Sequence, residues 1–395
     1  METLQNINFN NKKVLIRVDF NVPLNAHFEV TDSTRIVSAK PTIMKVLEEG
    51  GSCILMSHLG RPKSKELAFS LQHIVNVLET VLGKDVLFCS SCIGEDAQKA
   101  SDNLKPGQVL LLENLRYYPE ETTGGIGFAE ALSKLGDFYI NDAFGTAHRA
   151  HASTTIIAQF FPENKCFGSL LAQEIESIDK VMQTGEKPVL AILGGAKVSS
   201  KITIINNILD KVDHLIIGGG MTFTFVKALG GSIGDSICED DKMGLALQIL
   251  DRAKAKNVQV HIPVDVLAAD DFSNHANTQF VDVRTIPANW QGLDCGPKSK
   301  ALFHEVVQKC KTILWNGPLG VFEMEAFSSG TIALGNSIAE ATKNGAFSLV
   351  GGGDSVSAVK QFGFEKKVSY VSTGGGAMLE SLEGKTLPGI AAISN

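Results

Sequence analysis

The sequence predicts an α/β protein of two domains, each a parallel sheet with helices on both faces, and three observations carry that expectation. The chain has 395 residues, beyond the ~250–300 at which a single core stops growing. Short apolar runs alternate with polar loops and helical patterns along it, the signature of parallel strands joined by crossover helices. Residues 168–183 (GSLLAQEIESIDKVMQ) read as one amphipathic helix between halves of different composition. Leu171, Ile175, Ile178 and Met182 recur on one apolar stripe, while Gln173, Glu176, Asp179 and Lys180 fall off it toward water. Five of the seven arginines precede that stretch and most of the 38 glycines follow it. Anion binding by guanidinium forks is expected on the first side and by backbone N–H groups on the second; the plain alternative is chance clustering.

Composition narrows the class. Hydrophobic residues make up 44% of the chain and charged residues 20%, ordinary for a soluble globular protein. The opening residues, METLQNINFNNKK, hold no apolar leader core, and no run approaches the ~18 apolar residues of a membrane span, so a cytoplasmic location is expected. The net charge of −7 argues against a general nucleic-acid binder, and an anionic ligand then requires a local positive patch. Lysine outnumbers arginine 29 to 7, which leaves solvation to lysine and makes each arginine a candidate for planar, bidentate work. Seven cysteines, an odd number, fit free thiols in a reducing compartment. Cys89 and Cys92 form a C-x-x-C without the second pair that a zinc site needs.

In the first half, residues 13–18 (KVLIRV) read as a buried strand ending in DFNVP. Asp19 and Asn21 then lie at the carboxyl end of a parallel strand, where open α/β sheets bind ligands. Thr34 opens a helix with Arg35 in its first turn, and Pro41 is expected to kink that helix or to start a second one. A cation near a helix N-terminus is unfavourable by roughly a few tenths of a kcal/mol, so Arg35 is expected to answer something anionic. Residues 52–57 form the next strand and run into His58-Leu59-Gly60-Arg61-Pro62. Residues 109–112 deliver Glu113-Asn114-Leu115-Arg116, and residues 138–141 deliver a loop holding Asp142, His148, Arg149 and His151. Helical patterns lie around residues 71–82, 94–100 and 128–135. If the strands are parallel, Arg35, Arg61, Arg116 and Arg149, with His58 and His148, meet at one edge as a basic well suited to a small phosphorylated acid. Taken singly, Arg61 also reads as a surface ion-pair residue, and His148 and His151 as structural histidines.

In the second half, residues 188–193 (PVLAIL) form a strand that runs into Gly194-Gly195-Ala196-Lys197-Val198-Ser199-Ser200-Lys201 and an apolar helix. That is read as a glycine turn at a helix start, with Lys197 and Lys201 four apart and facing one anion. It is not a Walker A loop, since Leu379 stands where the first glycine before Gly384-Lys385-Thr386 belongs. Strand-to-glycine junctions recur at residues 214–220, 348–353 and 369–376. Together they suggest a cavity lined by backbone donors and suited to a nucleotide polyphosphate, against tight helix–sheet packing as the plainer reading. Asp354, at a helix start, is the carboxylate best placed for Mg²⁺, or else a simple N-cap. Residues 315–323 (WNGPLGVFE) follow another strand and offer apolar atoms for a base and Glu323 for ribose hydroxyls, or a proline turn beside a core aromatic.

These segments together resemble the phosphoglycerate kinase family. RVDFNVP at 17–23, HLGRP at 58–62, ENLR at 113–116, NDAFGTAHRAH at 141–151, LGGAKVSSK at 193–201, WNGPLGVFE at 315–323, GGGDS at 351–355 and STGGGA at 372–377 match in order. The resemblance implies two Rossmann-like domains with a cleft between them: a phosphoglycerate-binding domain over residues 1–167, an interdomain helix at 168–183, a nucleotide-binding domain over 184–383, and a tail, 384–395, returning to the first domain. It implies a monomer that transfers a phosphoryl group between 1,3-bisphosphoglycerate and MgADP. Asp19, Phe20, Asn21, Arg35, His58, Leu59, Gly60, Arg61, Arg116 and Arg149 would hold the glycerate. Gly194, Ala196, Lys197, Lys201, Gly219, Gly292, Asn316, Pro318, Glu323, Gly352, Gly353, Asp354 and Ser355 would hold the nucleotide, with Asp354 also taking magnesium. Arg35, Lys197, Gly352 and Gly375 would surround the moving phosphoryl. The sequence departs from the family at Gln291, before Gly292, where methionine is common.

No residue in these motifs looks like an activated nucleophile or strong base, and transfer to a carboxylate needs none. Two other classes are weighed. A dinucleotide-dependent oxidoreductase would share the layered pattern but lacks its glycine fingerprint here. A non-catalytic anion- or nucleotide-binding protein of the same fold would keep the arginine well without Lys197 and Asp354 acting together.

Overall fold

The structure, a computed structural model, describes residues 4–394. The chain divides into two compact units: the first runs to Ile175 and takes back the chain from Thr386 onward, and the second is Glu176–Lys385. The division falls inside the expected connector. That segment is an α-helix over Ser169–Asp179 followed by a π-helical stretch, Lys180–Thr184.

In the first unit, β1 (Lys13–Arg17), β2 (Ser52–Met56), β3 (Val86–Cys89), β4 (Val109–Leu112), β5 (Phe138–Asn141) and β6 (Lys165–Phe167) form one sheet in the order β3-β4-β2-β1-β5-β6. Every pairing in it is parallel. The strand period of two explains why the runs are almost wholly apolar. Val14 and Ile16 of β1, Cys53 and Leu55 of β2, and Val109 and Leu111 of β4 enter one core. Leu15, Ile54, Met56, Leu110 and Leu112, the residues between, enter the other. The first core is covered by helix Thr34–Glu48, whose Ile36, Ala39, Ile43, Val46 and Leu47 lie on one helical face. The second is covered in part by Phe128, Ala129 and Leu132 of helix Ile126–Ser133 and by Ile393. Each fully buried side chain of this kind contributes roughly 1.5–3 kcal/mol.

Pro41 lies inside helix Thr34–Glu48 without ending it. Its missing N–H leaves the carbonyl of Val37 without its helical donor, at an exposed residue. The edge strands β3 and β6 were not expected. Leu87 of β3 is exposed, and β6 is three residues long, so neither shows the continuous apolar run that marks the inner strands.

The second unit contains β7 (Val189–Leu193), β8 (His214–Ile217), β9 (Ser232–Ile233), β10 (Gln259–His261), β11 (Asp265–Ala269), β12 (Thr278–Asp282), β13 (Thr285–Ile286), β14 (Gln291–Cys295), β15 (Thr312–Asn316), β16 (Phe347–Val350) and β17 (Tyr370–Val371). Its main sheet is parallel, in the order β10-β8-β7-β15-β16-β17. Beside it stands an antiparallel sheet, β12-β11-β14, which the sequence reading did not foresee. Leu190, Ile192, Ile313 and Trp315 pack with Phe303, Val306 and Val307 of helix Pro297–Lys309 and with Leu334 and Ile338 of helix Ser329–Lys343. Among the described residues no helix is long and apolar enough to cross a membrane.

The connector starts on a buried acid of the first unit. Asp142 accepts the Leu171 N–H at 3.1 Å, the Ser169 N–H goes to Thr42 Oγ1 at 2.8 Å, and the Asp142 side chain fills the space where a side chain on Gly168 would sit. Burial pushes the Asp142 carboxyl up to about 6, against the hydrogen bonds from Thr42, Leu171 and Leu170. Because the folded state then binds the proton more tightly than the unfolded chain, the stabilisation is complete below the unfolded value and is lost as pH rises through about 6, an effect on the order of 3 kcal/mol. Asp142→Asn cannot ionise. Its urea midpoint relative to the parent should therefore rise between pH 4 and pH 7.5, and a pH-independent difference would remove Asp142 from the account.

Candidate active site

The first half-site is built on the carboxyl edge of the parallel sheet. In sheet order, the loops after β4, β2, β1 and β5 are neighbours there, which places the sequence-predicted residues side by side. Asp19, after β1, receives Arg35 Nη1 at 2.9 Å and the Asn21 N–H at 3.2 Å. Arg35, the cation in an unfavourable helix position, is thus answered by a carboxylate. Asn21 Oδ1 accepts the Gly60 N–H at 2.8 Å, and Gly60 O accepts Arg116 Nη1 at 2.6 Å. Phe20 turns its side chain into the core and donates its N–H to Ser57 Oγ at 2.8 Å. Leu59 is buried and joined in both directions to Asn114, its N–H donating to Oδ1 at 3.2 Å and its carbonyl accepting from Nδ2 at 2.7 Å. Arg61 and Arg149 are exposed at the margin of this network, and Arg149 Nε donates to His148 Nε2 at 2.9 Å.

Three residues outside the sequence-predicted set hold the network in place. Arg17 is fully buried at the end of β1. Its guanidinium donates to Ser153 Oγ at 2.8 Å, to Val18 O, and to His58 Nδ1 at 3.2 Å. Asn114, besides holding Leu59, donates to Phe69 O at 2.8 Å and accepts the Arg116 N–H at 3.0 Å. Glu121 carries the Ser153 side chain at 2.6 Å. Arg17 and Asn114 stand in the motifs at 17–23 and 113–116, but their holding role rests on partners tens of residues away, Ser153 and His58 for the one and Leu59 and Phe69 for the other.

The site is strongly positive. Burial and the guanidiniums of Arg17, Arg116 and Arg35 hold the His58 imidazole well below its ordinary value. Burial and the same kind of neighbours, Arg17, Arg116 and Arg149, bring His151 down to about 4. Arg116 itself is lowered by burial and then by Arg17 and Arg61. His58 is therefore neutral at physiological pH. Since its Nδ1 accepts from Arg17, its proton sits on Nε2, available as a donor to an anionic ligand.

The second half-site is a cavity of about 410 Å³ in the other unit, with Ala196, Gly219, Gly292, Pro318, Glu323 and Asp354 in its wall beside apolar Phe223, Val266, Leu293 and Val321. Gly292 has no side chain because the Phe223 ring occupies that space, and its N–H goes to Ser236 Oγ at 2.9 Å. Gly194 and Gly317 pass so closely that a Cβ on either would strike the other's loop, which brings the ends of β7 and β15 together. Trp315 is core. Its ring is fully buried and its indole N–H binds Gly317 O at 2.9 Å.

Asn316 links the phosphate-side groups: its amide donates to Gly351 O at 2.7 Å and its Oδ1 accepts Lys201 Nζ. Burial lowers Lys201, and the Asp354 charge works the other way. Ser355 Oγ accepts the Gly317 N–H at 2.5 Å. Gly352 caps helix Gly353–Gln361 at φ +91° and Gly374 caps helix Gly375–Leu382, so Gly353, Asp354 and Gly375 sit where N–H groups are unpaired within the helix.

The helix after the glycine turn starts at Ile202, directly after Lys201 as the sequence places it. Residues 199–201 are a turn, so the four-residue spacing of Lys197 and Lys201 is not that of a helix face. Lys197 is exposed. The Ser199 N–H is taken by Glu239 at 2.9 Å.

The family model for phosphoglycerate kinase matches residues 4–385. The chain belongs to that family. It is 52% identical to the phosphoglycerate kinase of Porphyromonas gingivalis, covering 99% of both chains, and 48% identical to that of Thermosipho africanus, covering 100% of this chain and 98% of the other. The solved phosphoglycerate kinase of Coxiella burnetii superposes with a TM-score of 0.91 at 41% identity, covering 99% of this chain and 98% of that one. The Pyrococcus horikoshii enzyme superposes with a TM-score of 0.82 at 30% identity, covering 100% and 98%. Reversible phosphoryl transfer is the activity of this family, and the chain is a phosphotransferase.

With His58 held neutral, an NMR titration should show no His58 protonation step between pH 5.5 and 8. In Arg17→Met the loss of the nearest guanidinium should move that step upward, and an unmoved step would remove Arg17 from the account of the site.

Proposed function

We propose that this chain transfers a phosphoryl group between 1,3-bisphosphoglycerate and MgADP, giving 3-phosphoglycerate and MgATP, with the glycerate held on the arginine-rich edge and the nucleotide in the glycine-lined cavity. The observation that supports this reading is the set of guanidiniums fixed at one edge of the first unit, Arg17 on His58, Arg35 on Asp19 and Arg116 on Gly60 O, a positive edge that suits a multiply charged anion.

Asp19 sets Arg35, Gly60 O sets Arg116, and His58 offers its Nε2–H, so the glycerate meets donors already fixed in direction. Arg61 and Arg149 close on it from the margin. In the cavity, Phe223, Val266, Leu293 and Val321 pack on the base, Glu323 takes the ribose hydroxyls, and Gly219, Gly292 and Pro318 let the backbone come close. Lys201, oriented by Asn316, and the N–H groups of Gly353 and Gly375 face the phosphates, with Gly194, Ala196, Gly352 and Ser355 shaping the loops that carry them.

The attacking group is a carboxylate in one direction and a phosphate oxygen in the other, both ionised at neutral pH. Catalysis is therefore placement and charge stabilisation around a loose in-line transition state. Arg35 and Lys197 steady the moving group. Asp354, an exposed carboxylate in the cavity wall, suits Mg²⁺, which takes one or two carboxylates and completes its shell with phosphate and water. The bound ion would neutralise charge on the nucleotide phosphates.

Each substrate has its half-site on its own unit, so transfer requires a closing step that excludes water, and we place it at the connector, residues 168–183. The family places the reaction in glycolysis, and we take the chain to act in the cytoplasm as a monomer, a reading that two half-sites on one polypeptide support.

ATP formation from 1,3-bisphosphoglycerate and MgADP tests the reading directly, and substrate binding without turnover would instead favour a binding protein of the same fold. Arg35→Ala and Lys197→Ala should each lower kcat by about 10²-fold or more with a much smaller effect on substrate binding; near-normal turnover in both would exclude these roles. Small-angle scattering should show a smaller radius of gyration when both substrates are present, and an unchanged profile would count against closure.

A further inference from the structure

Residues 236–240 touch the nucleotide cavity at Ile237 and are fastened at both ends. Ser236 Oγ holds the Gly292 N–H at 2.9 Å in the cavity wall. Asp240 pairs with Lys227 of helix Thr222–Ala228 at 2.7 Å, and the Glu239 N–H donates to Thr224 Oγ1 of the same helix at 3.1 Å. From this strap the Glu239 side chain reaches the turn between Lys197 and Lys201. One carboxylate oxygen accepts the Ser199 N–H at 2.9 Å and the other accepts Ser199 Oγ at 2.5 Å. Within the turn, the carbonyl of buried Val198 accepts the Lys201 N–H at 2.9 Å, Ser200 Oγ donates to Lys197 O at 2.8 Å, and Lys201 O accepts the Ile205 N–H of the following helix at 2.8 Å.

We propose that Glu239 is a positioning residue for the nucleotide's phosphates: its carboxylate fixes the 198–201 turn and thereby sets where Lys197 and Lys201 stand. This rests on the reading that those lysines meet the phosphates. A negative group cannot serve there by attracting a polyanion, so its contribution is placement. A carboxylate is the side chain that can accept from the Ser199 amide and hydroxyl at once and stay fixed. The bonds from Ser199 keep Glu239 ionised, prevailing over its partial burial.

The test is calorimetric binding of ADP and of adenosine to the full chain and to Glu239→Ala, Glu239→Gln and Lys201→Ala. Glu239→Ala should weaken ADP about tenfold, the size of a lost charge-assisted hydrogen bond, and leave adenosine unchanged. Glu239→Gln keeps one acceptor for Ser199, so its loss should be smaller, about threefold; it carries the same comparison if Glu239→Ala does not fold. Equal weakening of ADP and adenosine would overturn the proposal, because it would mean collapse of the cavity rather than misplaced lysines. Unchanged or tighter ADP binding in both Glu239 variants, with Lys201→Ala still weakening ADP, would overturn the proposal alone. Unchanged ADP binding in Lys201→Ala would overturn the lysine reading beneath it.

Discussion

Arg17, Arg35, Arg61 and Arg116 repel one another across the carboxyl edge of the first sheet, and the fold has to keep them there before any ligand arrives. It does so mainly with neutral acceptors. Arg116 is tied to Gly60 O, and Arg17 to Val18 O, Ser153 and His58. Asp19 is the carboxylate bonded directly to one of them, Arg35. A second carboxylate, Glu121, lies one step behind, holding Ser153. Dipoles set direction without cancelling charge, so the positive field remains available to an anion. Had each guanidinium been given its own carboxylate, the edge would be more stable and of little use as an anion site.

The second unit meets the same demand differently. Its cavity carries few fixed charges in its wall, and its polar surface is largely backbone brought close by glycine. The Gly194–Gly317 approach and the capping glycines Gly352 and Gly374 all come from chain ends of β7, β15, β16 and β17. Parallel sheets put all such ends on one edge, so both units exploit one geometric fact, the first mainly with long side chains and the second largely with backbone. Asp294 shows how the wall is kept rigid: buried, with its carboxyl pushed up to about 6 by that burial, it receives the N–H of Gly330 at 2.7 Å and of Cys295 at 2.8 Å.

The inner strands were legible because both faces are buried and the apolar runs are unbroken, and most junction residues of the site could be named from where those runs stop. Side strands such as β3, with Leu87 in water, and the antiparallel β11, β12 and β14, with Phe280 exposed, break that pattern and were missed. Pro41 does not start a second helix, since Thr34–Glu48 runs through it. The spacing of Lys197 and Lys201 says nothing of how their turn is held, because Glu239 reaches it from forty residues on. Arg17, Asn114 and Glu121 are alike in this: they orient other residues through contacts between distant segments, and no spacing along the chain encodes that role.

The last segment belongs to the first unit. Ile393 lies in its core, Lys165 Nζ donates to Ala392 O at 2.9 Å, and Gly389 exchanges hydrogen bonds with Ala147 and Asn141. The first unit is therefore built from two stretches separated in sequence by the whole of the second. Loss of residues 386–394 would take packing and hydrogen bonds from the arginine-bearing unit, although in sequence they are joined to the other one.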